Sequence, residues 1–304
     1  MNILGKRYIF FGVSLVMIVM GLTCLFIAGV PLSIDFTGGS LLELKFANAS
    51  PQPAEIIAVY EAGNIGDVQV QTTEDGTYDI RSQFLDNEQR AVVLDALNEK
   101  FGESEIIRFD SVGPSIGEQV TSRSALAVTV SSILVVLFIA WSFRSVQHAF
   151  RYGICAILAM IHDVLMIFAI TGFGALLLGW QLDSLFLTAL LTVIGFSMQD
   201  KIVVFDRIRE NANIYRRLDF ETLVNHSIVQ TLQRSINTQL MTVEFLLLSL
   251  VLIGGITLQE FASILLIGLL SGTYSSIFIA APSLVVWEKR EWRTWFKRQN
   301  QAQA

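Results

Sequence analysis

The sequence predicts a polytopic α-helical membrane protein with six transmembrane helices and one βαββαβ domain between the first and second. Three observations carry this. The 304 residues are 53% hydrophobic and 16% charged, with a mean hydropathy of +0.56, too apolar for an ordinary soluble chain. Six apolar runs approach the length of about 20 helical residues that spans a bilayer. One sizeable polar domain interrupts these runs, 32–123, with 16 acidic and 6 basic residues.

Helix 1 is expected over Tyr8–Val30, ended by Pro31. Lys6 and Arg7 precede it as in a signal peptide, but the run is longer than a signal core and no A-x-A site follows, so it is expected to be retained. Within 32–123, Gly38-Gly39 marks a turn, and Leu42, Leu44 and Phe46 alternate with Glu43 and Lys45 as in a half-buried strand. Strands are expected at Leu41–Phe46, Val68–Thr73, Tyr78–Ser82 and Glu105–Val112, with helices at Pro53–Ala62 and Asn87–Phe101. That order suggests a ferredoxin-like domain. Val112–Gly117 is a Gly/Pro segment expected to act as a hinge.

Five more spans are expected. They are Ser124–Phe143, Tyr152–Phe173, Ser184–Phe205, Ser235–Gly254 and Phe261–Trp287, the last with Gly268-x-x-x-Gly272, a pattern that permits close helix contact. An amphipathic helix is expected near Glu221–Gln233. The domains are thus 1–31 (first span), 32–123 (polar domain), 124–287 (spans 2–6) and 288–304 (basic tail). The N-terminus, the loop 144–151, the linker 207–234 and the tail carry 2, 2, 5 and 5 Lys or Arg, and the loops 174–183 and 255–260 carry none. This places both termini in the cytoplasm and 32–123 outside.

Ionisable residues within the apolar runs are the functional candidates, because charge in a bilayer is costly. Asp200 and Lys201 lie in helix 4, which meets the cytoplasmic boundary at Asp206, Arg207 and Arg209. Asp200 is read either as an ion carrier or as a carboxylate neutralised for packing. Lys201 points about 100° away from it, and Glu244 of helix 5 is the expected countercharge. Arg234 lies at the cytoplasmic mouth of helix 5 within a polar run, Gln230–Thr242, suited to a water-lined path; alternatively it extends to the interface. His162 and Asp163 form either a proton relay or a lock between helices. No H-E-x-x-H, G-x-S-x-G or Walker A pattern is present; Cys24 and Cys155 both fall inside apolar runs, and three histidines are too few for a metal cluster. No catalytic residue, metal or cofactor is expected, and an intramembrane aspartyl protease lacks its Gly-x-Gly-Asp motif here.

These residues bring out a family. The chain resembles SecF, a subunit of the bacterial SecDF translocation complex, itself similar to the RND transporter superfamily. The matching stretches are Ile34-Asp-Phe-Thr-Gly-Gly39 (with Asp35, Phe36, Thr37, Gly38 and Gly39), Val112-Gly-Pro114 (with Gly113 and Pro114) and Gly117, His162-Asp163, Ile194–Ser197 with Asp200 and Ile202–Asn211, and Thr231 with Arg234, Asn237 and Thr238. The resemblance implies a non-enzymatic subunit that works with SecD beside the SecYEG channel, with YajC and YidC as further associates. It would use the proton-motive force to help draw an emerging preprotein across the inner membrane, with its ferredoxin-like domain in the periplasm. No nucleic acid is implied. It also implies proton translocation by Asp200 and Arg234. Three positions depart from the family pattern: Gln199 for Asn, Lys201 for Thr and Glu244 for an apolar residue. An ammonium beside Asp200 disfavours its protonation unless another acid neutralises the lysine. The alternative reading is an RND-like proton-coupled exporter of small molecules or lipids.

Overall fold

A computed structural model describes residues 3–47, 49–72, 76–144, 149–239 and 245–291. The chain divides into two compact units, Leu32–Ala127 and the remainder, Met1–Pro31 with Val128–Ala304.

The smaller unit contains a short helix α2 (Ile34–Thr37), then β1 (Gly39–Phe46), α3 (Pro53–Ala62), β2 (Gln69–Thr72), β3 (Tyr78–Ser82), α4 (Asn87–Phe101) and β4 (Ser104–Val112). The sheet order is β2-β3-β1-β4, and every neighbouring pair is antiparallel. Strand alternation puts Leu42 and Leu44 of β1 on the inner face, where they pack with Phe46, Ile56, Tyr60, Ile80 and Leu97. Helix α4 begins in a reciprocal cap. Asp86 Oδ1 accepts from the Gln89 amide at 2.8 Å, and Gln89 Oε1 accepts from the Asp86 amide at 3.2 Å, so two otherwise orphaned donors are satisfied.

The expected hinge takes another form. Helix α5 (Pro114–Phe143) starts ten residues before Ser124, with Pro114 at its first position, where the missing N–H costs nothing. Gly38 adopts φ +70° and Gly39 φ +125°, which the absent side chain permits. A Cβ on Gly117 would fall 2.7 Å from the Gly38 nitrogen, and one on Gly38 3.0 Å from Pro114 Cα. Thr121 Oγ1 donates to the Phe36 carbonyl at 3.1 Å. The Gly-Gly turn and the Gly113-Pro114 segment therefore form one packed joint.

The larger unit is helical: α1 (Arg7–Ala28), the rest of α5, α6 (Ala149–Leu178), α7 (Ser184–Ile214), α8 (Phe220–Gln239), α9 (Phe245–Ile253), α10 (Ile256–Ser275), a π turn (Ser276–Ala280) and α11 (Ala281–Glu288). Among the described residues, five segments are long and apolar enough to cross a membrane: Leu4–Ala28, Pro114–Phe143, Ala149–Leu178, Ser184–Ile214 and Leu258–Glu288. At the start of the expected fifth span, Ser235–Gln239 continues the helix α8 without a break, because no Gly or Pro interrupts the run from Glu221 onwards. Residues 240–244, with Glu244, lie outside the described residues. Helix α7 also runs past Asp206. The boundary charges pair along it, Arg207 with Glu210 at 2.6 Å and Arg209 with Asp206, which supports helix rather than ending it.

Small residues set the packing. A Cβ on Gly172 of α6 would lie 2.2 Å from the Gly21 carbonyl oxygen of α1. On α10, a Cβ at Gly268 would meet Val193 Cγ2 at 2.7 Å and one at Gly272 would meet Ser197 Cβ at 2.9 Å. The Gly268-x-x-x-Gly272 stripe thus lies directly on α7.

Candidate functional site

Two polar sites flank α7. On the side facing α6, Lys201 and Asp163 are fully buried. Lys201 Nζ donates to Asp163 Oδ2 at 2.5 Å and to Ser197 Oγ, and Ser197 Oγ reaches the same carboxylate oxygen. His162 Nδ1 lies 3.1 Å from Asp163 Oδ1. Its ring stacks on Tyr274 of α10 with centroids 6.3 Å apart, and Tyr274 in turn donates to the Phe10 carbonyl of α1 at 3.1 Å. Lys201 is therefore paired with Asp163; Glu244, the countercharge expected from the sequence, lies outside the described residues. The neighbouring acid that the sequence required is on α6.

On the other side, Asp200 is 9% exposed and meets two hydroxyls from different elements. Ser235 Oγ of α8 donates to Oδ1 at 2.6 Å, and Ser276 Oγ of the π turn donates to Oδ2. Asp200 opens on a cavity of about 60 Å³ lined also by Phe196, Gln199, Val203, Arg234 and Thr238. Arg234 is exposed, and among the described residues no ion pair links it to Asp200. A larger cavity, about 580 Å³, is a mostly apolar groove between α3 and α4 lined by Ala58, Ala62, Val92 and Ala96, with Glu99 and Lys100 also in its lining.

The site thus brings together Asp200, Arg234, Ser235 and Ser276, and separately His162, Asp163, Lys201 and Ser197. The motif residues Asp35–Gly39, Gly113 and Pro114 build the joint in the smaller unit. Sequence reasoning did not find Tyr274 or Ser276, and placed Ser197 in the family motif without a contact. Extending the Gly268, Gly272 spacing by one further step of four lands on Ser276 and would have flagged it.

Apolar helices long enough to cross a membrane, with charge buried between them, in a chain that also carries a small α/β unit, are the pattern of a membrane transport protein. The family comparison places it among export proteins: the model for "Protein export membrane protein SecD/SecF, C-terminal" matches residues 92–290, and the SecD/SecF GG motif matches residues 25–49. The chain belongs to the SecF family of protein translocase subunits. It is 62% identical over 300 residues to the SecF translocase subunit of Anaerolinea thermophila, covering 98% of this chain and 97% of that one. It is 42% identical over 308 residues to that of Thermobaculum terrenum, covering 98% and 97%. A crystal structure of SecDF from Thermus thermophilus, described as a translocon-associated membrane protein, aligns with a TM-score of 0.80 at 29% identity, covering 95% of this chain. This chain spans 39% of that SecDF chain. The protein is therefore a subunit of the Sec protein-export machinery.

Proposed function

We infer that this subunit works with SecD beside a SecYEG channel, YajC and YidC being further associates, and uses the proton-motive force to assist late steps of preprotein translocation. On this reading it crosses the bacterial inner membrane six times with both termini cytoplasmic. The unit Leu32–Ala127 is periplasmic and ferredoxin-like, a reading supported by its βαββαβ order and β2-β3-β1-β4 sheet. The domain limits are 1–31, 32–123, 124–287 and 288–304, and the chain carries no catalytic centre.

One observation carries the coupling role. Asp200 is buried among three elements, α7, α8 and the π turn, and it touches a cavity that Arg234 also lines. Lys201 does not neutralise it, being held by Asp163. A proton arriving at Asp200 removes a charge facing Arg234 and changes the forces between α7 and α8, a bistable arrangement of the kind that protonation switches. The driving force suffices, because one charge crossing 100 mV provides about 2.3 kcal/mol. The test is Asp200→Asn in a reconstituted complex with SecD and the channel. Export stimulation and proton flux are expected to be lost while assembly persists; undiminished flux and export would sink the coupling role.

A further inference from the structure

The single hydroxyl proton of Ser276 has two acceptors. Ser276 Oγ lies in hydrogen-bond contact with Asp200 Oδ2 and 2.8 Å from the Thr273 carbonyl oxygen one turn back. One O–H can serve only one of them at a time. With Asp200 ionised, the proton points at the carboxylate. With a proton on Oδ2, the acid becomes the donor, Ser276 Oγ accepts, and the Ser276 O–H turns to Thr273. Ser235 donates to Oδ1 in both cases. Every group is satisfied in either state, which matters because an unpaired buried polar group is expensive.

We propose that Ser276 is the positioning residue that lets Asp200 change protonation state, by reversing the direction of its own hydroxyl bond. The local backbone suits this. Pro282 has no N–H and its ring crowds the carbonyl of Phe278, which lies inside the π turn Ser276–Ala280. π turns of this kind interrupt a helix locally. The charged and titratable groups around Asp200 leave the exchange to these hydroxyls. Arg234 of α8 lines the same cavity; on the opposite face, Lys201 of α7 is consumed by Asp163 of α6, with His162 beside it and Tyr274 of α10 stacked on that ring.

The assignment rests on Asp200 being the proton carrier, so its test has a readout besides flux. In the complete complex with SecD in proteoliposomes, carbodiimide labelling of Asp200, which requires the protonated acid, is followed against pH by peptide mass spectrometry. Ser276→Ala removes a charge-assisted bond from the carboxylate but only a neutral one from the acid, the former being roughly twice as strong. The labelling midpoint is expected to rise by about one pH unit, and proton flux is expected to fall. Ser276→Thr keeps a hydroxyl that can reach the preceding carbonyls and is expected to restore both. Ser235→Ala leaves the reversible bond in place and is expected to keep more flux than Ser276→Ala. An unmoved midpoint in Ser276→Ala, or a Ser276→Thr protein as impaired as the alanine variant, overturns the proposal. Undiminished flux in Asp200→Asn overturns the coupling role instead, and the midpoint shift still decides the part played by Ser276.

Discussion

Asp200 and Lys201 are neighbours in sequence and strangers in space. A helix turns about 100° per residue, so one side chain faces α8 and the π turn while the next faces α6. The angular argument was available from the sequence; the identity of the partner was not. Asp163 precedes Lys201 by 38 positions, and only the packing of α6 on α7 decides that it receives the ammonium. With both groups fully buried, removing one leaves an uncompensated charge. Lys201→Met is expected to cost about 3–5 kcal/mol and to lower the melting temperature of the detergent-solubilised protein sharply. In Asp163→Asn/Lys201→Met no charge remains buried at this pair, and most of that loss should return. The double variant also separates the two readings of His162-Asp163. If it folds and still conducts protons, the pair is a lock between helices. If it folds and proton flux is gone, the pair belongs to the conduction path. A Lys201→Met protein that melts like the parent would mean the pair contributes nothing to the fold.

At the scale of elements, the α/β unit was the more legible part. Helices expected at Pro53–Ala62 and Asn87–Phe101 and the strand at Tyr78–Ser82 are found with those limits, because turns, caps and strand alternation are local signals. Element ends in the membrane part were harder to place. Apolar composition gives a span but no stop signal, so α7 continues to Ile214 and α5 starts at Pro114. The glycines show how packing assigns different roles to one residue type. At Gly272 a side chain would collide with Ser197, so Gly272→Leu should push α10 off α7, at about 1–3 kcal/mol or more for an overpacked contact. It would also draw Ser276 away from Asp200. Gly195, on the same helix α7 and within the family motif, has open space where its Cβ would stand. Gly195→Ala should therefore stabilise α7 by about 0.5–1 kcal/mol, the usual gain for removing a mid-helix glycine. Thermal melts of the two variants check both. Equal effects at the two positions would contradict the close α7–α10 contact.

At the scale of the whole helical unit, α8 joins the Asp200 site to an ionic cluster at its other end. Arg7 of α1 donates to Glu221 at 2.9 Å and pairs with Glu291 at 2.5 Å. Lys289, just after α11, reaches Glu221 at 2.6 Å and Asp219 at 3.2 Å. The Ile3 amide donates to Asn225 Oδ1 at 2.9 Å. First helix, last helix and the start of α8 are thereby tied together, while the far end of α8 supplies Ser235 and Arg234. From Glu221 to Ser235 the helix extends about 21 Å at 1.5 Å per residue, so a shift at one end is carried to the other. The hydrogen bond from Lys289 holds the Glu221 carboxyl below its ordinary value of 4.5, with Arg7 adding to it against the opposing effect of burial. Lys289 lowers Asp219 likewise. A depressed carboxylate contributes stability that is complete above its unfolded value and disappears as the pH falls through the folded one. The parent protein should accordingly lose melting temperature as the pH drops below about 4.5 and these carboxylates become protonated. The loss should be largest at low ionic strength, since the cluster is partly exposed and salt screens it. Glu221→Gln should melt lower than the parent at neutral pH and change less across the acid window. It should also loosen the start of α8, seen as faster hydrogen exchange at Phe220–Asn225 relative to the parent at the same pH. A Glu221→Gln protein that tracks the parent at every pH and salt concentration would show that apolar packing alone holds α8 against α1 and α11.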